Sequence, residues 1–413
     1  MRIAGVQVAY LAEKYGTPLY VYDFAQIQAN AQRLKMAFGS ESVRVQPFYA
    51  MKANPHPAIL QVLLSMGFGV DCVSPGELEI ARRVGFNKTK ILYTGNYESV
   101  SDLQAALAAE VLINLDDISS FERLKQIGLP SLLSFRINPG QGQGRYHQIT
   151  TAGAKAKFGM LPEQAQEAYR LAKAAGVARF GAHMMTGSGI LEAEYFARML
   201  TLFLEILTEI SRQIKIEFEF IDMGGGFGIP YDGDHHELAI EKVGQDCLSI
   251  FAQSLTDKRL GNPALFIEPG RYLVGNTGYL IARVTGIKRS KKTFVGIDAG
   301  FNTLIRHALY GAQHTIVIDG KENLTDRSPV NLCGQICENT DIFVTDYPLP
   351  EVKTGDLVVF KQAGAYGAIM AMPYNHRLRP AEVAIVEGKD ILITRREEMR
   401  DYWSRIIYPK ISA

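Results

Sequence analysis

The stretch Phe48-Tyr49-Ala50-Met51-Lys52-Ala53-Asn54-Pro55 puts a lysine at the end of a short apolar, aromatic run. The Asn-Pro that follows stops a strand, because proline has no N–H for a ladder and restrains the residue before it. Lys52 is therefore expected at the C-terminal tip of a β-strand. A lysine amine among apolar groups loses its proton more readily, and the neutral amine forms an imine with an aldehyde. A surface lysine that snorkels past an apolar strand has the same local sequence. The choice depends on what the chain carries at comparable positions.

Asp222-Met-Gly-Gly-Gly-Phe-Gly228 follows another apolar run. Glycines at Gly224, Gly225 and Gly226 let a backbone approach an anion, and N–H groups there can cradle a phosphate. A tight turn has the same composition. Gly187-Ser188 can add a hydroxyl to that phosphate or be an ordinary loop. Glu268 stands just before Pro-Gly-Arg271. A buried carboxylate there can hold a pyridinium N–H, or it can be a salt-bridged strand end. His183 and Met185 alternate to one side of their run; a single such histidine is more often a hydrogen-bonded core residue than a catalyst. An imine-forming lysine, a phosphate cradle, a partner for a ring nitrogen and a group on the ring face are what pyridoxal phosphate requires. No metal or nicotinamide reading accounts for as many pieces. Cys333 and Cys337 form a lone C-x3-C without a second ligand pair, and no G-x-G-x-x-G follows the first strand.

The elements that must position these groups alternate. Strands are expected over residues 45–51, 69–73, 90–93, 111–115, 132–137, 179–185, 217–223 and 264–267. Helical patterns cover 24–38, with Asp23 as N-cap, then 57–66, 75–84, 99–109, 118–127, 162–175 and 193–213. Eight alternating units suit a parallel sheet, and eight is the number that closes a (β/α)8 barrel. An open doubly wound sheet uses similar units. In a barrel the active site lies at the C-terminal strand ends. Those ends carry Lys52, Asp71, Asn96, Arg136, His183 to Ser188, Gly224–Gly226 and Glu268 to Arg271. Beyond Gly275 the pattern changes to short runs punctuated by Asp319-Gly320, Gly355-Asp356 and Glu387-Gly388, the mark of an all-β domain. The expected division is 24–273 for the barrel, with 1–23 and 274–413 forming the β domain. The strands around Arg2–Val8 have no place in the barrel count and are assigned to the β domain.

At 413 residues the chain is long enough for two domains. Its 44 basic and 43 acidic side chains leave a net charge of +1, so neither nucleic acid nor an anionic membrane is an expected partner. No leader pattern follows Met1, and no apolar run is long enough to span a bilayer. The four cysteines, Cys72, Cys247, Cys333 and Cys337, suit a reducing compartment, and the cytoplasm is expected.

Taken jointly, Tyr49-Ala-Met-Lys52-Ala-Asn, Gly224-Gly-Gly-Phe-Gly-Ile-Pro-Tyr231, Glu268-Pro-Gly-Arg271, Cys337-Glu338-Asn-Thr-Asp341 and Ala365-Tyr366-Gly resemble the fold-type III pyridoxal-phosphate decarboxylases. Among these, the chain is most similar to the diaminopimelate decarboxylases, over nearly its whole length and in order. The resemblance implies an alanine-racemase-like barrel plus a β domain. It also implies decarboxylation of meso-2,6-diaminopimelate to L-lysine, within lysine biosynthesis, with pyridoxal 5'-phosphate as cofactor. Lys52 would carry the cofactor and Glu268 would pair with its ring nitrogen. Gly224, Gly225, Gly226, Gly270, Arg271 and Ser188 would serve the phosphate side, while Asp71, Arg136 and Tyr366 complete the cofactor set. Arg271, Arg306 and Tyr310 match positions that hold the substrate's distal carboxylate. Glu338 matches the one that reads its distal amine, and Tyr366 also faces substrate. Cys337 would act at the reacting carbon as proton donor. The Cys337-Glu338 loop would reach into a partner's site, implying a homodimer with shared active sites.

Three departures mark a divergent subgroup. The family usually carries His-x-His-Ile-Gly-Ser, where this chain has His183-Met-Met185-Thr-Gly-Ser188, so Met185 takes the ring-stacking position. Asn339 follows Cys337-Glu338 where serine is usual, and His307 follows Arg306 where proline is common. They leave room for another substrate on the same fold: D-lysine, D-ornithine, or a siderophore or polyamine precursor. A non-catalytic carrier of the cofactor would not need the β domain, and a racemase would lack the Cys-Glu loop.

Overall fold

The computed structural model describes residues 1–256 and 258–407. The chain divides into two compact units, one formed by Ile27–Val274 and the other by Met1–Gln26 with Gly275–Ala413.

The chain begins with an antiparallel hairpin of β1 (Arg2–Ile3) and β2 (Val6–Gln7), followed directly by helix α1 (Val8–Tyr15). Strand β3 (Leu19–Asp23) comes next. The larger unit then supplies β4 (Val45–Ala50), β5 (Gly69–Cys72), β6 (Ile91–Thr94), β7 (Leu112–Leu115), β8 (Leu132–Ile137), β9 (Arg179–Met184), β10 (Phe218–Asp222) and β11 (Ala264–Ile267). These eight pair in parallel in chain order, and β11 pairs with β4 to close the barrel. The open doubly wound alternative is thereby excluded.

Local sequence turns each strand into the next helix. Ser74 accepts the Glu77 N–H, Ser99 and Asp102 form a reciprocal capping box, and Asp117 accepts the Ser120 N–H. Pro57, Pro75 and Pro162 occupy first helical positions, where a missing N–H costs nothing. One barrel helix, Ile240–Ser254, was absent from the sequence expectations. It starts at Ala239 with no side-chain cap, so only its apolar spacing at Ile240, Val243, Cys247 and Phe251 announces it.

The barrel interior is layered. Phe48, Leu92, Phe220 and Phe266 cluster inside it, and the Phe220 and Phe266 rings stack at 4.5 Å. Two glycines make room for them. A Cβ on Gly181 would lie 2.2 Å from the Phe220 ring, and one on Gly69 would lie 2.5 Å from Phe48. Side chains two apart on a strand face the same way. Stepping two residues on gives Gly69 to Asp71, Asn114 to Asp116, Ser134 to Arg136, Gly181 to His183, Phe220 to Asp222 and Phe266 to Glu268. Six strands thus lead from a neutral layer to an ionisable residue, and all six of those residues are buried.

The second unit continues with β12 (Gly278–Arg289), β13 (Thr293–Ile297), β14 (Ile316–Ile318), β15 (Ser328–Cys333), β16 (Ile342–Leu349), β17 (Leu357–Phe360), β18 (Ala381–Val386) and β19 (Lys389–Thr394). Its sheet runs β16-β15-β13-β12-β3-β18-β19, with β17 pairing β12 and β14. The first strands join the β unit, as expected: β3 enters this sheet between β12 and β18, and the Arg2–Gln7 stretch pairs with itself as the β1–β2 hairpin within the same unit. The Ala4-Gly5 turn, with φ of 45° and 88°, folds that stretch on itself after two residues. Ile3, Val8 and Leu11 then join the unit through side-chain packing on Leu19, Ile281 and Val383.

Phe220→Ala removes the stacked ring beside Gly181 and is expected to cost about 3–5 kcal/mol. A urea titration that shows no lowered midpoint for this variant would mean the Phe cluster does not hold the barrel together.

Candidate active site

The strand ends bring the barrel part of the expected set together. Lys52 sits one residue beyond the expected strand, in the short turn Met51–Ala53 after β4. Its Nζ donates to Asp71 Oδ2 at 2.9 Å. Asp71 is fully buried while the lysine side chain is 38% exposed, so the amine faces the open end of the pair. Burial, and next the charge of Glu268, push the Asp71 carboxyl upward, with Lys52 pulling the other way.

Glu268 follows β11 and is buried. Burial alone would raise its carboxyl, but His183, Lys52 and Arg136 outweigh that and leave it below its ordinary value. His183 Nε2 lies 3.4 Å from Glu268 Oε1. Neither His183 nitrogen nor that oxygen has a hydrogen-bond partner. His183 is buried and faces Glu268 across the barrel mouth. Asp222, at the end of β10, accepts the Gly224 N–H on Oδ1 at 2.8 Å and leaves Oδ2 without a partner. Its burial, and then the charge of Glu268, raise its carboxyl well above the ordinary aspartate value. His183, Asp222 and Glu268 bring one ligand atom each within 4.8 Å of one another.

Arg136 is buried in the same layer, level with His183, and its burial lowers its basicity. It lies 3.8 Å from Asp116 Oδ1 and packs over the Phe158 ring at 4.6 Å. Neither Asp116 nor Phe158 was foreseen. Asp116 lies one residue beyond the expected strand 111–115, so the signal was present at a strand end.

The glycine loop is built by contact. A Cβ on Gly225 would lie 2.0 Å from the Glu268 carbonyl oxygen. On Gly224 it would lie 2.3 Å from Met184 O, and on Gly226 2.6 Å from Gly187 O. Gly224 and Gly226 also have φ of 72° and 96°, which glycine adopts without strain. The N–H of Gly225 donates to Met185 Sδ at 3.3 Å. Met185 therefore touches the glycine loop through its sulfur, and Arg136 and Thr151 both donate to its carbonyl. Arg271, after Gly270, donates to the Tyr231 hydroxyl at 2.8 Å and to Ser188 Oγ at 3.4 Å. Arg145 pairs with Asp234, which also accepts the Tyr231 N–H at 2.7 Å. Tyr231, Arg145 and Asp234 are supports to which sequence reasoning gave no role.

These residues fit pyridoxal phosphate. An amine stands at one strand end, and an ionised buried carboxylate with an unpartnered oxygen stands at another. Gly224–Gly226, Ser188 and Arg271 together form a basic, close-approach loop region of the kind a phosphate needs. A separate cavity of about 600 Å³ opens at the N-terminal strand ends. Three of its four lining cations are engaged: Arg44 on Asn262 O, Lys173 on Ile214 O and Arg179 on Glu219.

The remaining expected residues lie in the second unit. Arg306 is buried, with its Nη1 3.1 Å from His314 Nε2. The Lys361 carbonyl takes the His314 Nδ1 proton at 2.9 Å, so Nε2 accepts from Arg306. Tyr310 ends the same short helix, Arg306–Tyr310. Tyr366 has a φ of 57°. Cys337 and Glu338 are exposed in the single chain.

A closed parallel barrel with a lysine and a buried carboxylate at its strand ends, joined in sequence to a β unit, defines a pyridoxal-phosphate enzyme of the alanine-racemase-like architecture. The chain belongs to the pyridoxal-dependent decarboxylase family, whose pyridoxal binding domain matches residues 24–275. It is 42% identical to the diaminopimelate decarboxylase of Methanothermobacter thermautotrophicus, over 97% of this chain and 94% of that one. The structure of the M. jannaschii diaminopimelate decarboxylase in complex with L-lysine is similar at a TM-score of 0.90 and 32% identity, covering 98% of this chain and 95% of that one. That of the Helicobacter pylori enzyme complexed with L-lysine gives 0.88 and 30%, covering 96% and 98%. The protein is a carboxy-lyase with pyridoxal phosphate as its cofactor.

A carboxyl that is raised on folding stabilises the fold fully below its unfolded value of about 4, and that stabilisation is lost as pH rises through the folded value. In the cofactor-free protein, Asp222 should thus contribute to a fall in Tm as pH rises. Asp222→Asn keeps an oxygen for the Gly224 N–H and should flatten the Tm profile between pH 5 and 9. Parallel profiles for the two proteins would count against a raised Asp222 carboxyl.

Proposed function

We propose that the protein decarboxylates meso-2,6-diaminopimelate to L-lysine and CO2. The observation that carries this is Glu268, a buried carboxylate kept ionised with an unpartnered oxygen. Bound pyridoxal phosphate supplies an electron sink for the pair left behind when CO2 departs. Lys52 holds the cofactor, and Asp71 keeps the lysine side chain oriented. Glu268 holds a proton on the ring nitrogen. Gly224–Gly226, Ser188, Gly270 and Arg271 hold the phosphate side, with Tyr231 orienting Arg271. Met185 packs a neutral sulfur where the ring face would lie. The C–COO⁻ bond breaks, CO2 leaves, and Cys337 delivers its Sγ proton to that carbon. The thiolate is then reprotonated from solvent. Glu338 reads the distal amine, while Arg306 and Tyr310 serve the distal carboxylate.

The Cys337-Glu338 loop is exposed in the single chain, and we place it in the site of a second copy, making the enzyme a homodimer. Its four cysteines are free. Among the described residues no helix is long and apolar enough to cross a membrane. We assign it to the cytoplasm.

A second reading is a shorter diamino acid such as D-lysine or D-ornithine. It is favoured by Arg306, which is buried and bonded to His314. A siderophore or polyamine precursor belongs to the same class.

The purified enzyme should show the visible absorption band of lysine-bound pyridoxal phosphate. Lys52→Ala should lose that band while still taking up the cofactor weakly; a band that survives would remove Lys52 from this role. CO2 release compared across meso-diaminopimelate, D-lysine, D-ornithine and L-amino acids should be fastest with meso-diaminopimelate. A faster D-amino acid would favour the second reading and leave the chemistry intact.

A further inference from the structure

The loop that carries Cys337 is fastened on its inner side by a buried carboxylate. Asp341 is 2% exposed and accepts the Phe301 N–H on Oδ1 at 2.6 Å and the Ile336 N–H on Oδ2 at 2.7 Å. Those bonds fix the loop backbone but do not touch the thiol. The thiol is gripped from elsewhere, by the segment 374–377. Tyr374 donates to Glu338 Oε1 at 2.6 Å, and Arg377 donates to Gln335 Oε1. Between them, the Asn375 amide spans Cys337: Oδ1 lies 3.5 Å from the Cys337 N and 3.5 Å from its Sγ, and Nδ2 lies 3.4 Å from Sγ. Residues 374, 375 and 377 thus meet 338, 337 and 335 in antiparallel order.

This segment holds a costly backbone shape. Asn375 and His376 have φ of 52° and 51°, two consecutive left-handed residues that are not glycine. Such conformations persist only where surroundings over-determine them. Here Tyr374 stacks on Phe301 at 5.7 Å, and His376 meets the Tyr402 ring edge-on at 4.7 Å.

We infer that Asn375 is a positioning residue for proton transfer by Cys337, setting the direction of the thiol and stabilising the thiolate that transfer leaves behind. The inference rests on the proposed role of Cys337 as proton donor. The amide can serve both states of the sulfur. Before transfer, Oδ1 can accept the S–H. Afterwards, Oδ1 keeps the Cys337 backbone N–H, and the contact from Nδ2–H to sulfur becomes a charge-assisted bond, the stronger kind. An aspartate of the same shape would offer only acceptors and would repel the thiolate.

The test compares holoenzyme with Asn375→Asp, which keeps shape but loses the donor, and with Asn375→Gly, which accepts the left-handed backbone without the amide. Two quantities are read: kcat and KM for meso-diaminopimelate, and the rate at which iodoacetamide alkylates Cys337 at fixed pH, followed on the Cys337 peptide. The alkylation needs no turnover. Both variants should lose about tenfold in kcat, the scale of one charge-assisted hydrogen bond, with KM changed less than twofold. Cys337 alkylation should slow by a similar factor, most in Asn375→Asp. Unchanged alkylation, or a loss confined to KM, would overturn the positioning role. Cys337→Ala separates the two readings. If it keeps the kcat of the parent enzyme, the proton-donor assignment fails; if it loses turnover while the Asn375 variants do not, only the inference about Asn375 fails.

Discussion

An ionised carboxylate cannot be buried in a barrel mouth without compensation, and Glu268 is the group that imposes this demand here. His183, Lys52 and Arg136 supply the compensation. Each of these needs its own partner, so Asp71 pairs with Lys52 and Asp116 lies beside Arg136. Burial, and next the charge of Glu268, in turn raise the Asp222 carboxyl. The result is a ring of mutually dependent charges, drawn from strand ends far apart in sequence. Its unpartnered oxygens are what a cationic ring nitrogen would satisfy.

The second constraint is closeness of backbones. The glycine loop approaches carbonyl oxygens of two other strand ends and of the Gly187 turn so tightly that no Cβ fits. This is why three glycines occur in a row after β10. Met185 belongs to the same contact set, since its sulfur meets the Gly225 N–H. The residue that departs from the family pattern is therefore part of the loop's architecture.

Much of the fold was legible because it follows local rules. Strands of four to six residues alternate with capped helices, and the caps at Ser74, Ser99 and Asp117 sit at sequence-readable positions. What local rules missed has physical causes. The helix Ile240–Ser254 has no capping side chain, and the hairpin at Arg2–Gln7 turns on two left-handed residues that its sequence does not announce. Asp116 was missed by one residue at a strand end. Arg145 and Asp234 pair across loops 89 residues apart, a separation no periodicity can report.

By itself, then, the sequence determined the eight-unit rhythm, the lysine, the glycine run, the carboxylate before Pro-Gly-Arg and the change to short strands after Gly275. These are local patterns, set by the two-residue and 3.6-residue periods of the chain and by proline and glycine. Tertiary structure decided how those residues are charged. Whether a buried carboxyl keeps its proton depends on distances to groups on other strands, and closing the barrel sets those distances. That is why the Glu268 carboxyl lies below its ordinary value while that of Asp222, two positions on from a phenylalanine just as Glu268 is, lies above it.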